Sequence, residues 1–479
     1  MGNWLTTDTW FYNLVGSLSD VIWSYLLIAL LLILGVYFTI RTGFVQFRML
    51  KEMFVLLFKE GTDRSGFKDR KGTSAFQAFA ISTAARVGTG NLAGVALAIS
   101  AGGPGAIFWM WVIAIIGAAT GFVESTLAQM YKVKDKDGFR GGPAYYMEQA
   151  LNARWLGIIF AVLITLCFGF IFNGVQTNTI AQAFNGAYNI PTVYVGIAIM
   201  LLIGVIIYGG IRRIAVVAEI IVPIFASLYV IVAVIIMIIN IADVPQVFGL
   251  IFGQAFGIRE VAGGTAGGAL MLGIQRGLFS NEAGMGSAPN AAATAYVSHP
   301  VKQGLVQSLG VLTDTLIICS ATAFIILLSG TYADAGANIE GIQLTQQALA
   351  FHLGGWAQTF VSLAIFFFAF SSLLGNYYYG EVNVEFISPK RRYVQIFRVC
   401  FLLFVLLGAA SGLELVWAMA DLFMGLMAVV NLIAIALLGH IVAAALKNYT
   451  DQRKQGIDPV FYNDSIPWLK NLKAWGKKR

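Results

Sequence analysis

Arg86-Val-Gly-Thr-Gly-Asn91-Leu-Ala93-Gly94 and Arg276-Gly-Leu-Phe-Ser-Asn281-Glu-Ala283-Gly284 decide how this chain is read. Arg, Asn, Ala and Gly recur at a constant offset of 190, and each stretch interrupts an apolar segment with Gly, Ser, Thr or Asn. Such residues surrender helical hydrogen bonds readily: glycine through its conformational freedom, the short polar side chains by competing for backbone groups. Unwound backbone at mid-membrane depth is tolerated only where it is buried in protein or lines a cavity. Paired interruptions at Gly88-Thr89-Gly90-Asn91 and Phe279-Ser280-Asn281-Glu282 therefore point to a ligand site between two halves of the chain. Packing explains other glycines better, among them Gly263, Gly264, Gly267 and Gly268.

The rest of the sequence supplies the membrane. Of 479 residues, 58% are hydrophobic and 11% charged, far from the roughly 25% charge of soluble proteins, which excludes a disordered chain and an ordinary soluble enzyme. Cys167, Cys319 and Cys400 each sit in an apolar run without paired spacing, so neither a disulfide framework nor a zinc site is indicated. Eleven segments are long and apolar enough to span: 21–40, 74–100, 104–131, 155–187, 191–209, 211–241, 264–296, 304–330, 356–387, 394–412 and 416–446. Residues 1–20 carry no Lys or Arg and Val21 to Ile40 is long enough to span, so the first segment reads as retained rather than as a removable signal peptide. Between spans, 28 of the 31 Lys and Arg fall on one side and only Arg259 on the other, which predicts an external N-terminus and a cytoplasmic C-terminus. The net charge of +7 is thus a topology signal that requires no nucleic-acid partner. Five spans separate the two quoted stretches, so they enter the bilayer from opposite sides, as inverted repeats do.

Broken helices suit a zwitterion. A half-helix starting near Gly90 presents N–H groups and a positive dipole end to a carboxylate. Carbonyls freed near Val87, and around Leu278 and Phe279, can hold a sodium ion or an ammonium group.

Together with Gly141-Gly142-Pro143-Ala-Tyr-Tyr-Met and Phe368-Ala-Phe-Ser-Ser, the segments Thr89-Gly90-Asn91-Leu-Ala-Gly and Arg276-Gly-Leu-Phe-Ser-Asn-Glu-Ala-Gly-Met-Gly-Ser resemble the alanine or glycine:cation symporter family of the amino acid-polyamine-organocation superfamily. The resemblance covers nearly the whole chain. It implies an all-α polytopic membrane protein of the leucine-transporter type, a single transport domain with 11 transmembrane helices: an extra N-terminal span at 21–40, then ten core helices in inverted five-helix repeats over 74–241 and 264–446, followed by a basic cytoplasmic tail at 447–479. It further implies sodium-coupled uptake of alanine, often glycine, across the cell membrane. On this chain the implied substrate residues are Thr89, Gly90, Asn91, Gln176, Phe279, Ser280, Asn281 and Glu282, with Gln176 the leading donor to a carboxylate. The superfamily's common sodium site would use Ala84, Val87, Phe368, Ser371 and Ser372, the last standing where a threonine is common. No cofactor is implied beyond sodium as coupling ion.

Ionisable residues inside a membrane are functional candidates by default. Glu282 could offset Arg276 or Arg86; Glu219 reads as an interfacial partner of Arg212 and Arg213, with a proton-coupling carboxylate as the alternative; Asp314, Glu124, Glu381 and Glu385 read as pairing with one another or with loop cations. The Phe366–Phe370 and Tyr377–Tyr379 clusters read as packing, Pro143 to Leu151 as a short cytoplasmic helix, and the Trp- and Lys-bearing tail from Pro459 as resting on anionic lipid or, nearly as well, as disordered. A pump lacks its Gly-x4-Gly-Lys motif, a channel its continuous polar stripe, and an enzyme its catalytic constellation. A proton-coupled amino-acid carrier is the nearest rival.

Overall fold

The computed structural model describes residues 10–62, 73–135, 138–258, 265–334 and 341–477. In the apolar runs the backbone has no water to bond, so it satisfies itself as helix. In chain order the main helices are α1 (Trp10–Arg41), α2 (Leu50–Thr62), α3 (Ala75–Arg86), α4 (Gly90–Gly102), α5 (Gly105–Met130), α6 (Pro143–Ala150), α7 (Arg154–Tyr188), α8 (Thr192–Ile207) and α9 (Gly210–Ile239). They continue with α10 (Val244–Ala255), α11 (Ala266–Asn281), α12 (Ala288–Ala292), α13 (Pro300–Ser329), α14 (Ile342–Leu353), α15 (Trp356–Ile387), α16 (Arg391–Ala410) and α17 (Leu413–Lys454). A small hairpin, β1 (Val133–Asp135) with β2 (Gly138–Arg140), follows α5.

Among the described residues, eight helices are by themselves long and apolar enough to cross a membrane. The other three expected segments are the interrupted pairs α3–α4 and α11–α12, and the 16-residue α8. The first helix starts earlier than expected, at Trp10, and α2, α10 and α14 were not anticipated. Arg259, Gly263 and Gly264 lie outside the described residues.

The Ala- and Gly-rich α5 forms the centre, packed against α11 and α13, with α1 on its outer side. A second group joins α7 to α15 and α16, and α9 lies against α3 and α15. Outward faces are aliphatic: Ile220, Ile224, Ile231 and Ile238 make an exposed stripe along α9 at helical spacing, the surface expected against lipid tails.

The tail does not match its reading as a lipid-bound segment; it is docked on protein. Phe461 N–H donates to Ser298 O, Ser298 Oγ to Pro459 O, and Asn471 Nδ2 to Gln149 O. Trp475 Nε1 donates to the carbonyls of Gln129 and Met130, while its ring covers the Lys132 ammonium at 5.1 Å. Lys132 Nζ in turn donates to Ala295 O, and Thr73 at the start of the broken segment pairs with the same turn through Thr294 and Tyr296. His299 caps α13 through Nδ1; burial between Tyr449 and Phe461 pushes its imidazole down to about 3, so it stays neutral. The aromatic clusters do pack between helices, as with Phe367 stacked on Phe225 and Tyr377 against Phe401.

Candidate functional site

The first interruption falls at Val87 and Gly88, just after α3 ends at Arg86. Its N–H groups are not bare: Gly88 N–H donates to Asn91 Oδ1 at 3.0 Å and Thr89 N–H to Gln176 Oε1 at 3.1 Å. A Cβ on Gly88 would lie 2.9 Å from Gln176 Oε1 and closer still to Ser372 Oγ, so only glycine fits between these two side chains.

The second interruption lies further along than the sequence suggested. Phe279, Ser280 and Asn281 remain the last turn of α11, and the chain leaves the helix at Glu282, which takes the left-handed conformation (φ 58°). Two side chains hold this opening. Asn281 Oδ1 accepts from Ala283 N–H, and Glu124 of α5 accepts from Gly284 N–H, Gly286 N–H and Asn431 Nδ2. The aligned arginines are accordingly not equivalent in space, since Arg86 ends its helix and Arg276 sits inside α11.

Six of the eight expected substrate residues converge. Gly90 abuts Phe279 and the Ser280 backbone so closely that a Cβ would stand 2.9 Å from the Phe279 ring. Asn91 Nδ2 donates to Ser280 Oγ and to Asp314 Oδ1, at 3.0 and 2.8 Å, and Ser280 Oγ donates to Asp314 Oδ2 at 2.6 Å. Asp314 thus ties the first break to the second, a role its position in an apolar run hinted at without naming partners. Gln176 faces Thr89, and its Nε2 has no hydrogen-bond partner among the described residues. Asn281 instead points to Thr315, and the Glu282 carboxylate to Ser287. Thr89, Asn91, Gln176, Ser280 and Asn281 are all at most 2% exposed, so the site is closed on both sides.

The five expected sodium residues come together in one oxygen cluster. Ser372 Oγ lies 2.8 Å from Ala84 O, 3.1 Å from Phe368 O and 3.5 Å from Val87 O, and Ser371 Oγ lies 2.8 Å from Phe368 O. This cluster joins α3 to α15 directly behind Gly88.

An aromatic stack missed by the sequence reading covers the site from one side. Phe279 lies between Phe172 and Trp417, at centroid distances of 4.6 and 4.7 Å, and the Arg276 guanidinium sits over Trp417 while paired with Asp421 at 2.5 Å. Arg276 therefore belongs to Asp421 and not to Glu282. Glu381 and Glu385 pair with Arg398 and Arg140 as expected, whereas Glu124 and Asp314 form no ion pair among the described residues and instead accept hydrogen bonds at the breaks. Glu219 accepts from Gln77 of α3, which ties it to the broken segment.

A solved transporter, MhsT in complex with L-phenylalanine, has a similar fold, with a TM-score of 0.54 over 76% of this chain and 89% of that one at 14% identity. Among relatives, the amino-acid carrier protein AlsT of Bacillus subtilis is 54% identical over 98% of both chains. The probable sodium/glutamine symporter GlnT of the same organism is 54% identical over 97% of this chain and 96% of its own. A putative sodium/proton-dependent alanine carrier, YrbD, also from that organism, is 43% identical over 97% and 98%. Residues 8–463 match the sodium:alanine symporter family, and with identity of this extent the chain belongs to that family of membrane transporters.

Proposed function

We propose that the protein is a sodium-coupled symporter that carries alanine, and glycine with it, across the cell membrane by alternating access. It performs no enzymatic step and needs no cofactor beyond sodium as coupling ion. Its N-terminus lies outside and its C-terminus in the cytoplasm, the orientation its Lys and Arg favour. The observation that carries this reading is the oxygen cluster of Ala84, Val87, Phe368, Ser371 and Ser372. Neutral carbonyl and hydroxyl oxygens suit a hard monovalent cation, and freed helix-end carbonyls are where transporters hold one.

Sodium acts as a co-substrate. Bound in the cluster, it would pin the end of α3 to α15 and so fix the break on whose far side the amino acid sits. Thr89, Gly90, Asn91, Gln176, Phe279, Ser280, Asn281 and Glu282 form the proposed substrate residues. The free Nε2 of Gln176 donates to the substrate carboxylate, and helix-end carbonyls near Val87 accept from its ammonium. Phe279, wedged against Gly90 and backed by Phe172 and Trp417, would limit the length of the side chain the site accepts. Because both ligands stabilise the same ordered break, each raises the other's affinity by the same factor.

The test is uptake into proteoliposomes. An inward sodium gradient should concentrate labelled alanine, with glycine competing well and glutamine poorly; accumulation under a pH gradient alone, without sodium, would replace this reading by a proton-coupled one. Preferential competition by glutamine would move the substrate to that of the relative named for it.

A further inference from the structure

Three carboxylates are enclosed at the centre of the bundle: Glu124 at 0% exposure, Glu282 at 1% and Asp314 at 1%. One guanidinium, Arg86, itself 1% exposed, is within electrostatic reach of all three. The other enclosed guanidinium among the described residues, Arg276, is already taken by Asp421. If all were ionised the cluster would hold two negative charges in excess. A sodium ion beside Ala84 and Val87 cancels one, and the remaining charge has no water to solvate it. A proton on one of the carboxylates removes the excess.

The donor inventory selects which. Both oxygens of Glu124 are addressed by N–H groups alone, those of Gly284, Gly286 and Asn431, which a protonated acid cannot reciprocate. Asp314 receives the Asn91 amide and two hydroxyls, of Ser280 and Thr315, and is the best solvated by protein of the three. Glu282 has one partner, the Ser287 hydroxyl at 2.6 Å. A hydroxyl donates to a carboxylate and accepts from a carboxylic acid, so this pair serves either protonation state by one rotation. The charged and titratable groups facing Glu282 are Arg86 of α3, Glu124 of α5, Asp314 of α13, Cys167 of α7 and Tyr379 of α15. Only Arg86 among them favours the ionised form.

We propose that Glu282 binds a proton that is taken up together with sodium and the amino acid. The inference rests on the transport reading above and assigns its second coupling ion to one residue. Glu282 is also the residue at which α11 leaves the helix, in the left-handed conformation. When ionised it is drawn toward Arg86 at the end of α3; when neutral it releases that pull. Proton and sodium thus act on the same arginine from opposite breaks.

Two measurements on the full-length protein test this. In proteoliposomes with a pH-sensitive dye in the lumen, alanine uptake driven by sodium should acidify the lumen. Glu282→Gln should abolish the acidification per alanine taken up and flatten the pH dependence of whatever uptake it retains, and Glu282→Asp should restore both. Sodium-driven uptake by the unmodified protein with no lumenal acidification would overturn the proposal while leaving the transport reading intact; no uptake under any gradient would overturn that reading instead. Independently of transport, dicyclohexylcarbodiimide, which modifies protonated carboxyls in apolar surroundings, should label Glu282 more at acid than at alkaline pH by peptide mass. Label on Asp314 or Glu124 with none on Glu282 would sink the assignment even if Glu282→Gln fails to fold.

Discussion

Ser372 places one hydroxyl within reach of three backbone carbonyls, those of Ala84 and Val87 at the first break and Phe368 of α15. Replacing it by alanine removes a ligand and the one hydrogen bond that the hydroxyl donates, a loss of about 1–2 kcal/mol. Ser372→Ala should therefore raise the sodium concentration that half-saturates uptake by on the order of tenfold, since 1.4 kcal/mol is a factor of ten. Alanine affinity at saturating sodium should change far less. Sodium titrations of uptake check both; an unchanged sodium dependence would remove the cluster from the transport cycle. At this scale the short motifs named Ser371, Ser372 and the Ala84–Val87 carbonyls from local sequence, and the fold brings those residues together. Asp314, Trp417 and Asp421 escaped because their roles depend on partners elsewhere in the chain, such as Asn91 223 positions before Asp314.

Helices meet most closely where glycines face one another. Gly174 of α7 and Gly408 of α16 touch backbone to backbone, and a Cβ on Gly408 would stand 2.7 Å from the Gly174 carbonyl oxygen with its Cα nearer still. Neither backbone can retreat cheaply, since Asn178 of α7 also bridges to the carbonyls of Gly408 and Ser411. Gly408→Ala should destabilise the protein by roughly 1–3 kcal/mol, as overpacking does, visible as a lowered thermal midpoint in detergent. Hydropathy alone marked most of the spanning elements, because length and apolarity are local properties. It misjudged the second break: Phe279, Ser280 and Asn281 look like helix breakers yet stay helical, and the opening occurs at Glu282, where Glu124, about 160 positions earlier, collects the freed N–H groups. What holds a helix open is a distant carboxylate, which no window along the chain contains. The same applies to α2, α10 and α14, whose shorter lengths fall below a spanning criterion.

Across the whole molecule, residues 457–476 act as a strap over one end of the bundle. Phe461, Ile466, Leu469 and Leu472 are each at most 7% exposed, and burial of such side chains contributes about 1.5–3 kcal/mol apiece before ordering costs. Ending the chain after Gln455 should uncover Lys132 and the Thr73–Ala295 pairing, lower the thermal midpoint by several degrees and increase proteolysis near Thr73. An unaltered midpoint and cleavage pattern would mean the strap contributes no stability. Sequence reading placed this segment on lipid because Trp beside Lys describes a membrane surface as well as a protein groove, and only the Gln129 and Met130 carbonyls decide between them.

The strap follows, in order of synthesis, every helix it secures. Those helices have been made before Trp475 exists, so the end of the bundle around Thr73 and Ala295 stays uncapped until that residue has left the ribosome. A nascent chain stalled before Trp475 would carry its helices with the first broken one still unfastened.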